Sequence, residues 1–309
     1  MNVLFVNYGN FTTNSLNHIA GFANWLCARG HSCVVAVPGE KDTLATVPSP
    51  RFQAATYAEV LARPAQFPDG RPADVIHAWT PREGVRKFVA AYQRLQPGTR
   101  VLVHLEDNEE YLLEAFGGQP LAELRDLPEQ KFPFPMVDGL PHPVRYHHLL
   151  RLADGVTVIN ERLREFVPPG KPTHLLLPGV DFDLYRPRPA DPALRRELGL
   201  RDGEKVIVFT GSVTYANAAE MRELYGAVKL LNDGGTPVRL IRTGFTLPEF
   251  TQGLGYDCAA WLVELGFVDK ARLPGLLALA DVLVQPGRPG AFNDYRLPSK
   301  LNWQAWICS

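Results

Sequence analysis

The sequence predicts an α/β fold made of two successive parallel sheets, each covered by helices. Short apolar runs alternate with longer stretches whose apolar residues recur at helical spacing. This alternation occurs in both halves of the chain, and a proline-rich stretch separates the halves. Apolar runs that lack a polar face are typical of parallel strands, which are buried on both sides of the sheet.

The first half begins with a strand, a helix and a second strand. Residues 3–6 form an apolar run, and apolar side chains recur at helical spacing from Ile19 to Leu26. Gly30 is typical of the position just after a helix end, and residues 33–37 form the next apolar run. The chain therefore opens with a βαβ unit.

The same alternation continues towards the middle of the chain. It predicts a helix at residues 84–95 and three further strands, at residues 75–77, 101–104 and 156–159. Residues 116–148 interrupt the pattern with prolines and glycines. We interpret them either as a loop over a cleft or as a surface insertion.

Prolines mark a domain boundary near residues 178–189, because they stop both helices and sheets. We predict an N-terminal domain over residues 1–185 and a partial C-terminal domain over residues 186–309. The second domain repeats the pattern of the first. It has a predicted helix at residues 218–231 and predicted strands at residues 206–211, 238–241, 263–267 and 281–285.

The composition argues against several classes of protein. The 32 Lys and Arg residues against 33 Asp and Glu residues give a formal net charge of -1, which does not favour a nucleic-acid partner. The four cysteines form no CxxC pair or metal-ligand pattern, which predicts no metal site and a reducing, cytoplasmic location. The sequence contains no run of about 18 apolar residues, so no transmembrane helix is predicted. Neither GxGxxG nor GxxxxGK[ST] occurs, so a redox enzyme and a P-loop NTPase are disfavoured.

Six segments carry motifs in a fixed order. They are ADGVTVIN at residues 153–160, LPGVD with YRP within residues 177–187, FTG at 209–211, LGFV at 265–268, LPGLLALAD at 273–281 and NDYRLPSKL at 293–301. Their order and spacing resemble the GT-B glycosyltransferases of family 4, the glycosyltransferase group 1 type. The resemblance runs over almost the whole chain.

This resemblance implies two Rossmann-like domains, the second incomplete, which face a cleft. It implies transfer of a sugar from a nucleotide-sugar donor, bound by the second domain, to a sugar, lipid-linked or small-molecule acceptor on the first. Retention at the anomeric carbon and no obligatory metal or other cofactor are implied as well. The implied donor-binding residues, whose NH groups and cations would stabilise a departing diphosphate, are Gly211, Ser212, Arg242, Asn293 and Lys300.

Polar residues that follow the strands of the first half are the other candidates, because open parallel sheets bind ligands there. We predict catalytic roles for His104 and Asp107. The predicted acceptor-side residues are Asn10, Thr12, His77 and Glu106. Several positions keep a structural alternative: a core histidine for His104, a solvated charge for Arg242 and Lys300, a surface histidine for His18 and a solvated helix start for Glu109.

The sequence also departs from the family pattern. Ser212 and Asn217 stand where the family has phosphate-binding cations, and Tyr295 and Trp303 stand where it has two glutamates. The resemblance stops at Leu301, which leads us to expect a truncated product with impaired donor binding. An epimerase-like enzyme that acts on nucleotide sugars and an inactive nucleotide-binding remnant remain alternatives.

Overall fold

The computed structural model describes residues 1–128, 131, 138–214 and 217–298. The chain packs as two compact units, of which the first is Met1–Gly179 with Asp294–Leu297 and the second contains Val180–Asn293. Each unit is built from a parallel sheet with helices, as expected for two Rossmann-like domains, so the predicted fold class is confirmed. The domain limits at residues 185 and 186 stay a prediction.

Seven parallel strands form the sheet of the first unit. They are β1 (Asn2–Val6), β2 (Ser32–Val37), β3 (Gln53–Thr56), β4 (Val75–Trp79), β5 (Arg100–Leu105), β6 (Gly155–Val158) and β7 (Thr173–Leu175). Their order is β3-β2-β1-β4-β5-β6-β7. The chain therefore builds outward from β1 in one direction and then from β4 in the other, so the order reverses between β1 and β4. Ligands of open parallel sheets bind at such a switch point.

The described residues of this unit form six α-helices: α1 (Asn14–Ala28), α2 (Tyr57–Ala62), α3 (Glu83–Leu95), α4 (Glu109–Gly117), α5 (Leu121–Asp126) and α6 (Tyr146–Leu152). Short 3-10 helices form at Lys41–Thr46 and Glu161–Phe166. The predicted helix over residues 84–95 is α3, which buries Val85, Phe88, Val89 and Tyr92. This spacing of three and four residues places one apolar stripe against the sheet.

The stretch at residues 116–148 is more structured than the predicted loop. It contains α5, which forms because Leu121 and Leu124 lie one turn apart and pack with Leu113. Its later part lies against the start of α3, where the NH of Glu83 donates to Leu140 O at 2.9 Å and the NH of Gly84 donates to Asp138 O at 2.9 Å. The loop prediction is therefore wrong for α5.

The second unit contains a four-stranded parallel sheet in the order β10-β9-β8-β11. The strands are β8 (Lys205–Thr210), β9 (Val238–Thr243), β10 (Leu262–Glu264) and β11 (Val282–Leu283). The helices are α7 (Pro192–Glu197), α8 (Ala218–Asp233), α9 (Pro248–Gln252) and α10 (Leu273–Leu277). One 3-10 turn forms at Lys270–Arg272, and another forms at Asn293–Tyr295, whose last two residues belong to the first unit.

The helix predicted over residues 218–231 forms as α8 and continues to Asp233. The four predicted strands of this half also form, although β10 and β11 are shorter than predicted. In the described ranges, no helix has the length and apolar character that crossing a membrane requires.

Candidate functional site

The switch point of the first sheet carries a strained residue. Thr80 directly follows β4, is fully buried and has a φ of 66°. A β-branched residue rarely adopts a positive φ, and such strain is concentrated at functional sites. The NH of Thr80 donates to His104 O at 3.0 Å, which ties the end of β4 to β5. The backbone strain thus lies at the sheet edge where a ligand is expected.

The loop from β1 to α1 is held by Asn7. This buried side chain donates its amide hydrogens to Gly9 O, Asn10 O and Thr13 Oγ1, the last at 2.8 Å. The predicted acceptor-side residues of this loop lie together: Thr12 Oγ1 donates to Asn10 Oδ1 at 2.6 Å, and Asn10 Nδ2 donates to Glu40 at 2.6 Å. Thr12 is exposed and Asn10 is half-buried, so both lie at the outer rim.

Glu106 contacts two side chains of α1 at the same sheet edge. Ser15, in the first turn of α1, donates its hydroxyl to Glu106 Oε2. His18 lies one turn later on the same helix face, and its Nδ1 lies 3.1 Å from Glu106 Oε1. Only 9% of the His18 side chain is exposed, so the interpretation of His18 as a surface residue is wrong. The first turns of α1 thus meet the end of β5 through Glu106.

Glu106 remains charged although it is buried. Burial raises the pKa of a carboxyl group, but the imidazole of His18 at 3.1 Å, the nearby imidazole of His104 and the hydroxyl of Ser15 outweigh burial and lower the pKa of Glu106 to about 2. An anion near the positive end of α1 is also favoured by the helix dipole. Glu106 is therefore a fixed negative charge at neutral pH.

In contrast to Glu106, Asp107 and Glu109 have raised pKa values. Burial and the charge of Glu106 raise the pKa of Asp107 to about 6, against the attraction of Arg82. Burial also raises the pKa of Glu109 to about 7, although Arg82 Nε lies 3.5 Å from Glu109 Oε2. Glu109 is 3% exposed, so the predicted solvated helix start is wrong. Tyr8 lies under Arg82, with the guanidinium carbon 3.7 Å from the ring centroid.

Three carboxyl groups with separated pKa values thus share one sheet edge. Neighbouring acids whose environments push their pKa values apart are typical of sites where one group stays charged and another transfers a proton. Glu106 is the charged member, and Asp107 and Glu109 are the members that titrate near neutral pH. This arrangement is the strongest chemical signal in the described part of the first unit.

His77 and His104 lie together on one face of the sheet, inside the core. His77 Nε2 is 3.0 Å and His104 Nδ1 is 2.8 Å from the same Thr157 hydroxyl. The His104 ring also packs on Trp79, with centroids 4.2 Å apart. Burial lowers the pKa of His77 to about 3 and that of His104 to about 4. Both imidazoles are therefore neutral at pH 7, and His104 Nε2 has no hydrogen-bond partner among the described residues.

A small cavity and a larger surface hollow lie among the described residues of the first unit. A cavity of about 10 Å³, which is roughly the space one water needs, has walls from Asp107, Glu109, Glu110, Tyr146 and Phe166, among others. A larger surface hollow of about 470 Å³ shares Glu110 and Phe166 and also contacts His147. The inner cavity is too small for a sugar ring, whereas the outer hollow has the volume of a small-molecule site.

The second unit brings the ends of β8 and β9 into close backbone contact. A Cβ atom on Gly244, whose φ is 87°, would lie 2.8 Å from both Gly211 C and Ser212 N. Ser212 Oγ accepts a hydrogen bond from the NH of Phe245 at 3.1 Å. The predicted donor-side residues Gly211 and Ser212 are therefore fixed to the β9 loop, and only glycine fits at residue 244.

Arg242 lies beneath this backbone contact and is 1% exposed. Its Nη2 lies 2.6 Å from Glu264 Oε1, and its Nη1 donates to Gly211 O and Phe245 O, each at 3.2 Å. The guanidinium thus holds both strand-end loops from inside. The predicted contact of Arg242 with a diphosphate stays a prediction.

The remaining donor-side candidates lie further along the chain. Asn293 Nδ2 donates to Glu220 Oε1, in the first turn of α8, at 3.1 Å and to Arg288 O at 2.8 Å. Lys300 lies outside the described residues. Asn217 precedes α8. Its side chain accepts a hydrogen bond from the NH of Thr214 at 2.7 Å and donates one to Ser212 O at 3.0 Å.

The structure brings together only some of the predicted residues. Glu106 and Asp107 share one site with three residues that sequence reasoning missed or misjudged, Arg82, Glu109 and His18. The position of Arg82, five residues after the predicted strand at residues 75–77, was the available signal for it. In the described ranges, no group of three or more His, Cys, Asp or Glu side chains is arranged to hold a metal ion.

Comparisons with known proteins support the fold. No family model matches the chain, and no curated protein sequence matches it. Sucrose-phosphate synthase from Thermosynechococcus elongatus is similar in structure, with a TM-score of 0.64, 14% identity, and coverage of 92% of this chain and 74% of its own. HepE from Anabaena, solved with UDP and glucose, gives a TM-score of 0.63, 18% identity, and coverage of 92% and 73%.

A putative UDP-N-acetylglucosamine 2-epimerase from Listeria monocytogenes is similar as well, with a TM-score of 0.53, 14% identity, and coverage of 91% of this chain and 73% of its own. The chain thus spans about three quarters of the length of these structures. At this level of identity the likeness shows the fold, which is the GT-B fold with its two parallel-sheet domains.

Proposed function

We propose that the chain is a glycosyltransferase that moves a sugar from a nucleotide-sugar donor to an acceptor. One observation carries the proposal: a chain with the GT-B fold gathers Glu106, Asp107 and Glu109 at the switch point of its first sheet, with their pKa values held apart. Glycosyl transfer needs a group that handles the proton of the acceptor hydroxyl and a charge that stays fixed beside it. The acids of this edge have those two properties.

We assign catalytic roles to Asp107 and His104 in this proposal. Because its pKa of about 6 lies near neutral pH, Asp107 can exchange a proton with an acceptor hydroxyl. The neutral His104, whose Nε2 has no partner among the described residues, can accept a hydrogen bond at the same sheet edge. The proposed acceptor-side residues are Asn10, Thr12, His77 and Glu106.

The second unit supplies the donor side in this proposal. The fixed backbone at Gly211 and Ser212 offers NH groups to a diphosphate, as strand-end loops in parallel sheets do. Asn293 and Lys300 are the proposed side-chain partners, and Arg242 shapes the loop from below. HepE was solved with UDP and glucose, so UDP-glucose is the first donor to test. Family-4 membership and retention at the anomeric carbon, which the sequence resemblance implies, belong to the same proposal.

A sugar, lipid-linked or small-molecule acceptor is proposed, rather than nucleic acid. The net charge of -1 offers no general attraction for a phosphate backbone. An α-glucosyltransferase with a similar fold was solved with UDP-glucose and DNA, so DNA should be included among the acceptors tested. A cytoplasmic location is proposed because none of the three described cysteines forms a disulfide.

The test begins with binding and then measures transfer. UDP, GDP and ADP are screened for a rise in melting temperature, because a ligand that binds only the folded chain stabilises it by mass action. The corresponding nucleotide sugars are then incubated with an acceptor library and with duplex DNA, and release of the diphosphate is followed. The proposal predicts that one nucleotide stabilises the chain and that its sugar is transferred. NMR of the anomeric proton in the product decides between retention and inversion.

Variants separate chemistry from folding. Asp107→Asn should lower kcat at least a hundredfold, because the amide cannot exchange a proton, while the melting temperature with nucleotide stays unchanged. Asp126→Asn, an exposed aspartate at the end of α5, is the matched control and should behave as the native chain. Absence of transfer from every nucleotide sugar would overturn the proposal.

An epimerase is the second candidate, because a putative UDP-N-acetylglucosamine 2-epimerase shares the fold. The same incubation without an acceptor distinguishes the two reactions. An epimerase changes the sugar of the nucleotide sugar in that incubation, whereas a glycosyltransferase leaves it intact or hydrolyses it.

A further inference from the structure

The side chain of Glu109 lines the small inner cavity of the first unit. It is 3% exposed, and neither of its carboxylate oxygens has a hydrogen-bond partner in the described part of the chain. Arg82 Nε, 3.5 Å from Glu109 Oε2, has no hydrogen-bond partner among the same residues. A buried polar atom without a partner costs free energy, and a polar molecule that bonds to it recovers that cost. Glu109 thus marks a place where a polar ligand is favoured.

The cavity has the size and the walls that one water molecule needs. Its volume of about 10 Å³ is close to the smallest that holds a water, and a buried water also requires several polar partners. Asp107, Glu109 and Glu110 line the cavity together with Tyr146, whose hydroxyl donates to Glu110. Apolar side chains form the rest of the wall. A single water in this cavity can therefore reach both Asp107 and Glu109.

Asp107 and Glu109 differ in exposure and in proton affinity. Asp107 is half-buried, so an acceptor can reach it, whereas Glu109 is enclosed. Burial raises the pKa of Asp107 to about 6 and that of Glu109 to about 7. A proton on Asp107 is therefore favoured to move on to Glu109 where a path joins them. The other titratable and charged groups that face this pair are Glu106, Glu110, Arg82, Arg296, His18 and Tyr146.

We propose that the inner cavity binds one water molecule, and that this water passes the proton of the acceptor hydroxyl from Asp107 to Glu109 during the chemical step. The proposal rests on the proposed function, in which Asp107 takes that proton. The O–H bond formed on Asp107 breaks as one forms on the water, and another O–H bond of the water breaks as one forms on Glu109. The water is regenerated, Asp107 is again a carboxylate and Glu109 is neutral, so atoms and charges balance.

Glu110 connects this relay with solvent. It lines both the inner cavity and the surface hollow, and 29% of its side chain is exposed. Glu109 must lose its proton before the next turnover, and water or buffer at Glu110 can take it. Glu109 thus acts on the acceptor only through the water and Asp107, which makes it a positioning residue for the proton and not a group that touches the acceptor.

The first test does not depend on activity. A neutron crystal structure of the chain in heavy water shows both bound water and the hydrogens on carboxyl groups. At about pH 6.5, between the two pKa values, we expect one water within hydrogen-bond distance of Asp107 and Glu109, a hydrogen on Glu109 and none on Asp107. A cavity without water, or a water that contacts only one of the two acids, overturns the relay and leaves the proposed function untouched.

The second test counts the protons that move in the chemical step. Single-turnover rates with the nucleotide sugar that the functional screen identifies are measured by rapid quench in mixtures of H2O and D2O. A relay moves more than one proton, so the rate of the native chain should depend on the D2O fraction along a curve. Glu109→Gln cannot accept a proton, so its plot should be a straight line. Glu123→Gln, an exposed glutamate of α5, is the matched control and should keep the curve.

The same variant changes the rate and its pH dependence. Glu109→Gln should lower kcat about tenfold, because Asp107 alone is the weaker base of the two. The acid limb of the kcat/KM profile should move from about pH 7 to about pH 6 or below, because only Asp107 must then be ionised. Burial already favours the neutral form of Glu109, so the neutral amide should leave the melting temperature near its native value.

The outcomes separate the relay from the proposed function. A curved plot for the native chain, a straight one for Glu109→Gln and the shifted acid limb support the relay. A straight plot for the native chain, or an equally curved one for Glu109→Gln, overturns the relay although the chain is a glycosyltransferase. If the native chain transfers no sugar, the proposed function fails and the relay fails with it.

Discussion

The two strand-end regions of the molecule use their charged residues in opposite ways. At the edge of the first sheet, Glu106, Asp107 and Glu109 lie together with pKa values shifted in both directions. At the edge of the second, the buried Arg242 is paired with Glu264 and with backbone carbonyl groups. The first arrangement leaves titratable groups poised near neutral pH, and the second fixes backbone shape. The proposed function accordingly assigns proton transfer to the first unit and ligand positioning to the second.

The largest expected effect concerns the internal ion pair of the second unit. Arg242→Met should destabilise this unit by about 3 kcal/mol, because Glu264 and two carbonyl groups lose their partner. This value lies at the low end for buried pairs, since 35% of the Glu264 side chain is exposed. Hydrogen–deuterium exchange of β8 and β9 should become roughly a hundredfold faster.

Arg239→Met is the matched control, because Arg239 lies on the same strand and has no ion pair among the described contacts. Exchange of β8 and β9 in this variant should stay within a few-fold of the native rates. Arg242 is 1% exposed, so the alternative of a solvated charge is wrong. Equal acceleration in both variants would show that its contacts are not the support of the loops.

The second effect tests the close backbone contact. Gly244→Ala should cost about 2 to 3 kcal/mol, because a Cβ would lie 2.8 Å from the backbone of Gly211 and Ser212 at a φ of 87°. Gly235 has a similar φ of 84°, but a Cβ atom there would have no other atom within 4 Å. Gly235→Ala should therefore cost only about 1 kcal/mol. Urea unfolding of both variants measures the difference. Equal losses would mean that the close approach is unimportant.

The third effect concerns pH and belongs to the first unit. Burial lowers the pKa of His77 to about 3, whereas histidine in an unfolded chain titrates near pH 6.5. The folded state therefore binds fewer protons, so this stability is present above about pH 6.5 and is lost as the pH falls towards 3. Phenylalanine at residue 77 fits beside Phe5 and Trp79 and does not titrate. Between pH 7 and pH 5, the free energy of unfolding of His77→Phe should therefore fall by about 2 kcal/mol less than that of the native chain.

Asp107 and Glu109 act with the opposite sign. Their pKa values are raised in the folded chain, so the stability that they contribute is lost as the pH rises through about 6 and 7. Both the native chain and His77→Phe contain these two acids. Their contribution therefore cancels when the unfolding free energies of the two proteins are subtracted. Parallel curves of unfolding free energy against pH would contradict the assignment of a neutral, buried His77.

Much of the fold was predictable because strands and helices leave local signals. The predicted apolar runs form β1, β4, β5 and β8, and residues 84–95, which have helical spacing, lie in α3. Helix α5 was missed because only two leucines at a three-residue spacing mark it, amid prolines and glycines. The sequence of such a short helix carries little periodicity, and its contact with Leu113 forms only in the folded chain.

The candidate site was predictable only in part. Glu106 and Asp107 follow a strand, so their position could be inferred from parallel-sheet topology. Burial of Glu109 and the approach of His18 to Glu106 depend on how α1 and α4 pack, which spacing along the chain does not reveal. Arg82 was missed because its contacts, Tyr8 and Glu109, lie far from it in the sequence.

The smallest effect tests the outer rim of the first unit. Asn10→Ala removes the hydrogen bonds to Glu40 and Thr12, but these groups are exposed or half-buried, so the cost should stay below about 1 kcal/mol. Asn7 is buried and holds the same loop, so Asn7→Ala should cost more, about 2 to 3 kcal/mol, and serves as the comparison variant. If Asn10 contacts the acceptor, Asn10→Ala raises KM for the acceptor several-fold while kcat and urea unfolding stay near native values. An unchanged KM would remove Asn10 from the proposed acceptor-side residues.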